Sequence, residues 1–179
     1  MITPEEARQQ ARQNFLDGYA CAPAVAAVFA EELGYDRDMI LRISQPFGAG
    51  ICRMREVCGT VSGMMTALGM AMGSADGTKE SKDRIYAEGQ KLAARFRERN
   101  GSIICRELLG LVPMGQSEQA LRAGKSVQHT ADSPVSEART PEYYKKRPCP
   151  DLCGEAAAIF AEWLNERKNT ERLLSARLK

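Results

Sequence analysis

Residues 58–72, CGTVSGMMTALGMAM, place Gly59, Gly63 and Ala67 four residues apart among apolar side chains. That interval is the repeat of an α-helix, and it gathers the small residues on one face, so the stretch predicts a helix that another element approaches very closely. Its first residue is a cysteine. Backbone N–H groups at a helix start favour negative charge, which predicts an easily formed thiolate at Cys58.

Working outward from this helix, the same periodicity continues in both directions. A turn over residues 73–77 leads into a long charged helix at 79–99 with an apolar stripe of Ile85, Leu92 and Phe96, closed by Asn100-Gly101. Ser102 then caps a short helix whose buried side is Ile103, Ile104, Cys105, Leu108 and Leu109, ended by Gly110. Upstream, residues 47–52 form a Gly-rich loop, residues 36–43 a short helix with Met39, Ile40 and Ile43 on one face, and residues 22–33 a helix stopped at Gly34. Residues 4–19 carry Ala7, Ala11, Phe15 and Tyr19 at four-residue spacing, an amphipathic helix with Pro4 in its first turn. Periodicity fades over 117–148, which predicts a long polar loop with one helical turn near Gln119. It resumes at 149–167, where Pro150 suits a first turn and Ala157, Phe160, Ala161 and Leu164 face inward, and residues 168–179 read as a basic, frayed tail. No segment alternates apolar and polar residues. The expectation is an all-α fold, a single-domain helical bundle over 1–179 with about six to seven helices and a long polar loop before the last helix.

Composition narrows the function classes. The chain has 179 residues, 44% hydrophobic and 27% charged, enough to build its own core. Its net charge of +2 is spread along the sequence with no basic stripe, which disfavours nucleic acid as a partner. The start, Met1-Ile2-Thr3-Pro4-Glu5-Glu6, lacks the basic and apolar regions of a secretory signal, so the expected compartment is cytoplasmic. The longest apolar runs, near residues 20–30 and 61–72, fall short of the roughly 20 residues a membrane helix needs.

Cysteine usage is the anomaly: Cys21, Cys52, Cys58, Cys105, Cys149 and Cys153 accompany one histidine, His129, which falls in the polar loop. Six cysteines in a chain of this size and expected compartment point to thiol redox or metal chemistry, against the plain alternative of small buried core residues. If the helices bundle, Cys21, Cys58, Cys105 and Cys149 can converge to hold an iron–sulfur cluster or a structural zinc, or to cycle between dithiol and disulfide. No C-x-x-C is present. Cys149 and Cys153, four residues apart on one helical face, suit two ligands of one metal better than an unstrained disulfide, and Cys153 as a core residue is the alternative. Gly48-Ala49-Gly50 lacks the strand and the Gly-Lys-Ser/Thr ending of a phosphate loop, the methionines at helical spacing read as core filler, and Glu107 reads as structural. Arg53, Arg55 and Arg106 lie near cysteines and are candidates to stabilise thiolates.

Gly48-Ala49-Gly50, Cys58-Gly59-Thr60-Val61-Ser62-Gly63 and Ala67-Leu68-Gly69 together resemble the central signature of the C_GCAxxG_C_C redox-active proteins. The segments starting at Tyr19-Ala20-Cys21-Ala22-Pro23, Cys105-Arg106-Glu107 and Cys149-Pro150-Asp151 match the family in the same order, so the resemblance spans nearly the whole chain. It implies a small helical protein whose family cysteines are Cys21, Cys58, Cys105 and Cys149, with Cys52 and Cys153 outside that set as extra ligands, resolving thiols or passive core residues. A similar module in split-Soret cytochrome c implies an iron–sulfur cluster, [2Fe-2S] or [4Fe-4S]. Haem is not implied, because no C-x-x-C-H site exists in this sequence. Thr60 stands where the family more often has alanine. The expected function is therefore a cysteine redox protein that binds an iron–sulfur cluster for electron transfer or redox sensing with a partner oxidoreductase. The alternatives are cluster-free thiol–disulfide exchange and a non-redox helical module with structural zinc, and the small-residue face with its methionines is compatible with a homodimer.

Overall fold

The structure is a computed structural model that describes residues 1–125 and 133–177; His129 lies outside the described residues. Among the described residues there are nine α-helices and no strand. In order they are α1 (Pro4–Leu16), α2 (Cys21–Ala26), α3 (Arg37–Ser44), α4 (Gly59–Met72), α5 (Lys79–Asn100), α6 (Cys105–Leu108), α7 (Gln116–Arg122), α8 (Pro141–Lys146) and α9 (Cys149–Arg177). None is long and apolar enough to cross a membrane.

Local caps and stops set several of the helix ends. Thr3 and Glu6 cap α1 reciprocally, each side chain accepting from the other's backbone N–H, and Thr78 caps α5 by accepting from the Ser81 N–H. At the far end of α5 Gly101 takes the left-handed conformation, φ +85°. The core forms where α1 and α4 pack on α9 and α5 closes one side. Ala7, Ala11 and Phe15 of α1 are buried with Met64 and Leu68 of α4, Leu92 and Phe96 of α5, and Ala157, Phe160 and Ala161 of α9. Phe29 and Phe160 meet edge to face at its centre, with ring centroids 4.6 Å apart. On the outside of this layer Arg99 of α5 bridges Glu155 and Glu162 of α9 at 2.9 and 2.7 Å.

The structure departs from the sequence reading in six places. The short helix expected after Ser102 starts only at Cys105, with Ile104 as its cap residue and no side-chain cap, because the Ser102 hydroxyl is used ahead of it on the Ile104 N–H and Glu107. The first helix ends at Leu16, where Asp17 caps it and Gly18 turns the chain at φ +110°, so Tyr19 falls outside it. The helix expected at 22–33 divides into α2 and a 3-10 turn over Glu31–Leu33, because Val28 and Phe29 donate to carbonyls three residues back and Phe29 is turned fully into the core. In α3 only Ile40 of the expected apolar face is buried, and Met39 and Ile43 remain exposed. The polar loop before the last helix contains α7, at the expected turn near Gln119, and also α8, started by Thr140 as cap and Pro141 in the first turn. Finally, α9 continues as helix to Arg177, through the part of the tail expected to fray.

Gly63 explains how tightly the redox-relevant half is built. A methyl group there would stand 2.4 Å from the Ala22 carbonyl oxygen and 3.0 Å from the Ala22 Cα, so the backbones of α2 and α4 touch at this point. The close partner predicted for the small-residue face is therefore α2, the helix that begins with Cys21.

Candidate functional site

Each of the four expected cysteines stands at a helix start. Cys21, Cys105 and Cys149 are the first residues of α2, α6 and α9, and Cys58 is the N-cap residue of α4. All four line one cavity of about 30 Å³, room for a single water, together with Arg55, Tyr143, Arg147 and Leu152. Tertiary contacts do this positioning. Residues 55–58 and 103–106 run side by side, with the Cys58 N–H donating to the Ile103 carbonyl at 2.8 Å and the Cys105 N–H donating to the Glu56 carbonyl at 2.7 Å. That pairing brings Cys58 and Cys105 to the same place from distant parts of the chain. Gly50, at φ +73°, lets the preceding loop press on Cys105, since a methyl group at Gly50 would lie 2.7 Å from the Cys105 Cβ. Gly59 does the same for Cys21, whose Cβ would be 3.0 Å from an added methyl.

Cys153 belongs to the cluster and Cys52 does not. Cys153 is fully buried one turn after Cys149, and its thiol points at the Cys21 carbonyl at 3.9 Å, which places it beside Cys21. It is thus both a core residue and a neighbour of the site. Cys52 is exposed, its thiol donating to the Pro46 carbonyl at 3.3 Å, and it does not line the cavity that the four share.

Buried thiols in contact cannot all ionise, and the surroundings decide which one does. The neighbouring Cys149 and Cys153 thiols, then the Ala49 N–H, hold the Cys21 thiol well below its ordinary value of 9.0, and Arg139 adds to this. Burial pushes Cys58 up to about 12, helped by its neighbours Cys21 and Cys105 and opposed by Thr60. The low value predicted from the helix start at Cys58 is therefore not found: loss of water raises its thiol, and the neighbouring thiols lower that of Cys21 instead. Burial likewise raises Cys105 to about 11, with Cys21 adding to the rise and Arg55 opposing it. Cys21 and then burial raise Cys149, and burial and then Cys21 raise Cys153. The Thr60 hydroxyl lies 3.2 Å from the Cys58 sulfur, so the residue that departs from the family pattern supplies a hydrogen-bond partner that alanine lacks.

Of the three arginines singled out from the sequence, only Arg55 reaches a cysteine. It is 4% exposed, lowers the Cys105 thiol by its charge, and its Nε has no acceptor among the described residues. Arg53 turns toward Glu137 instead, and Arg106 is paired with Glu56 at 2.7 Å and with the Ser117 hydroxyl at 3.0 Å. Glu107 is structural as expected, accepting from the Ser102 hydroxyl and, at 2.8 Å, from the Ser117 N–H. Sequence reasoning missed Arg139, Tyr143 and Arg147, which reach the site from the segment that reads as polar loop. Their only local signal is the Thr140-Pro141 helix start.

The residues that could hold a metal centre are these four cysteines from separate segments, largely shielded from water, with guanidinium groups beside them that would balance negative charge. In this structure the thiols close on one another, and among the described residues no three His, Cys, Asp or Glu side chains stand as ligands around a single ion.

No curated protein and no solved structure matches the chain. A family model does, that of the Putative redox-active protein (C_GCAxxG_C_C), over residues 19–163, which includes all five clustered cysteines and the arginines around them. With its cysteines gathered at the helix starts that this match spans, the chain belongs to the C_GCAxxG_C_C family of redox-active proteins.

Proposed function

We propose that the chain is a cytoplasmic electron-transfer or redox-sensing protein whose Cys21, Cys58, Cys105 and Cys149 hold an iron–sulfur cluster, [2Fe-2S] or [4Fe-4S], that exchanges electrons with a partner oxidoreductase. The observation that carries this reading is that these four thiols, and not Cys52, line one small buried cavity. Such a cluster supplies reversible one-electron chemistry when bound to four thiolates. The protein's own part is then to lower the cost of collecting negative charge away from water. The charge of Arg55 lowers the Cys105 thiol, the Ala49 N–H that of Cys21 and Thr60 that of Cys58, each favouring the thiolate that a metal requires. Leu152, Leu108 and Leu109 wall the cavity with apolar surface.

The test is anaerobic purification followed by iron, zinc and sulfide analysis and an absorbance spectrum on one sample. Iron with matching sulfide and a visible band is expected, lost on changing Cys21, Cys58, Cys105 or Cys149 to Ser and kept in Cys52→Ser. Absence of iron and sulfide after reconstitution would refute the cluster.

A second reading has its own observation: Cys149 shares the cavity with Cys21, the Cys153 thiol points at the Cys21 carbonyl at 3.9 Å, and both neighbours lower the Cys21 thiol. In that reading Cys21 and one of these partners lose two electrons and two protons to a disulfide substrate, which leaves as two thiols, and the protein keeps a Cys21–Cys149 or Cys21–Cys153 disulfide. Disulfide mapping after mild oxidation of metal-free protein detects it. Zinc without iron or sulfide in the same analysis would identify a structural zinc site instead.

A further inference from the structure

Beside the buried thiols lies a second, larger space that the redox reading does not use. It is an open pocket of about 430 Å³, and Cys21 and Cys52 both line it. Among the described residues its walls carry four guanidinium groups, Arg53, Arg55, Arg139 and Arg147, against one carboxylate, Glu137.

The charges within it are incompletely paired. Arg53 and Arg147 share the same Glu137 oxygen, at 3.6 and 2.5 Å. Arg139 spends its two terminal nitrogens on the backbone carbonyls of Phe15 and Tyr19, with its guanidinium stacked 4.3 Å from the Phe15 ring centre. These contacts fix the group in place without neutralising it. Among the described residues, the buried Nε atoms of Arg53 and Arg55 have no acceptor. Buried N–H groups of this kind are nearly always satisfied, and an arginine fork is shaped for carboxylate or phosphate oxygens.

The backbone supports the same conclusion. Ala49, Ile51, Cys52, Arg53 and Arg55 all have positive φ, between 46° and 65°. Five non-glycine residues in the left-handed region within one loop are costly, and they persist where the surroundings hold them in place, which is characteristic of ligand sites. The loop's contacts include the Cys52 N–H donating to the Pro46 carbonyl at 2.8 Å and the Glu56 N–H to the Gly50 carbonyl at 3.1 Å. Its product is a rigid wall that sets Cys52, Arg53 and Arg55 around one pocket.

We propose that this pocket binds a small-molecule anion carrying at least two negative charges in carboxylate or phosphate groups, and holds it beside Cys21 and Cys52. The site adds a ligand to the redox centre proposed above and does not depend on whether that centre holds iron.

Cys52 is a built-in reporter, exposed at the pocket and outside the thiol cluster. Its alkylation in the purified full-length chain is followed by peptide mass spectrometry at low ionic strength, with anionic iodoacetate and neutral iodoacetamide in parallel. Focused positive charge raises the local concentration of an anion, so the iodoacetate-to-iodoacetamide rate ratio at Cys52 should exceed that of free cysteine by about tenfold. Arg53→Gln should bring the ratio down and Glu137→Gln should raise it. At constant ionic strength, citrate or inorganic phosphate should protect Cys52 saturably, and comparing the two distinguishes a carboxylate site from a phosphate site. A wild-type ratio equal to that of free cysteine, a ratio unmoved by both substitutions, or no saturable protection by either anion would overturn the proposal. Iron and sulfide content, measured on the same preparation, reports separately on the cluster.

Discussion

Gly63→Ala tests the mechanical link between helix packing and the thiol site. The added methyl would stand 2.4 Å from the Ala22 carbonyl oxygen, and 3.0 Å from both the Ala22 Cα and the Val25 Cβ. Ordinary contact begins near 3.4 Å, so α2 has to retreat by about 1 Å, and the obstructing atoms include backbone that no rotamer change can move. Overpacking of this kind costs about 1–3 kcal/mol. Because Cys21 immediately precedes Ala22, the retreat also shifts its sulfur relative to Cys149 and Cys153. Gly69→Ala in the same helix is the control, since nothing lies within 4 Å of its added methyl. Relief of glycine's backbone entropy should stabilise that variant by roughly 0.5–1 kcal/mol. The assay is urea unfolding of metal-free, reduced protein, with Cys21 alkylation followed by mass spectrometry. The expected result is opposite signs for the two substitutions and a reduced Cys21 thiolate reactivity at neutral pH in Gly63→Ala only. Equal stability of the two variants, with unchanged Cys21 reactivity, would refute the claim that α2–α4 contact positions the site.

Phe160→Ala removes a fully buried ring packed against Phe29 and Trp163, and should cost about 3–5 kcal/mol by denaturant midpoint. Glu107→Ala leaves the Ser102 hydroxyl and the Ser117 N–H without their acceptor, at a cost of about 1–3 kcal/mol, and should speed hydrogen exchange at the Ser117 amide. Alkaline pH should destabilise the metal-free protein. From pH 9 upward the unfolded thiols lose their protons while Cys105, at about 11, and Cys58, at about 12, keep theirs in the fold, so the native state binds more protons and stability falls as pH rises. The slope is about 1.4 kcal/mol per pH unit for each thiol, and Cys105→Ser should reduce it. The depressed Cys21 acts in the opposite sense, its contribution being complete above pH 9 and lost as pH falls through its native value.

What was legible in the sequence follows from what is local. The repeat of Gly59, Gly63 and Ala67 specifies a helix and a close packing face, because a four-residue step on a helix puts side chains on one side whatever surrounds them. Caps at Thr3 and Thr78 and the stop at Gly101 are equally local, since each satisfies backbone groups within one turn. The four family cysteines were legible through the order of their motifs, and all four meet at one cavity. The polar segment misled because α8 is short and weakly amphipathic, and its order comes from contacts such as Tyr144 against Phe15, with rings 6.4 Å apart. The exposure of Met39 and Ile43 could not be read either, since a helix pattern shows which residues share a face and not whether anything covers it.

The amino-acid sequence by itself therefore determined the helical class, the small-residue face of α4 and the identity of the converging thiols, all properties of neighbouring residues. Only the tertiary structure decided that Cys153 joins them and Cys52 does not, that the surroundings lower the Cys21 thiol and raise that of Cys58, and that Arg139 and Arg147 come in from the far end of the chain. The physical reason is that burial, the closeness of other thiols and the distance to a guanidinium depend on which segments fold together, and residues far apart in sequence leave no periodic signal of their meeting.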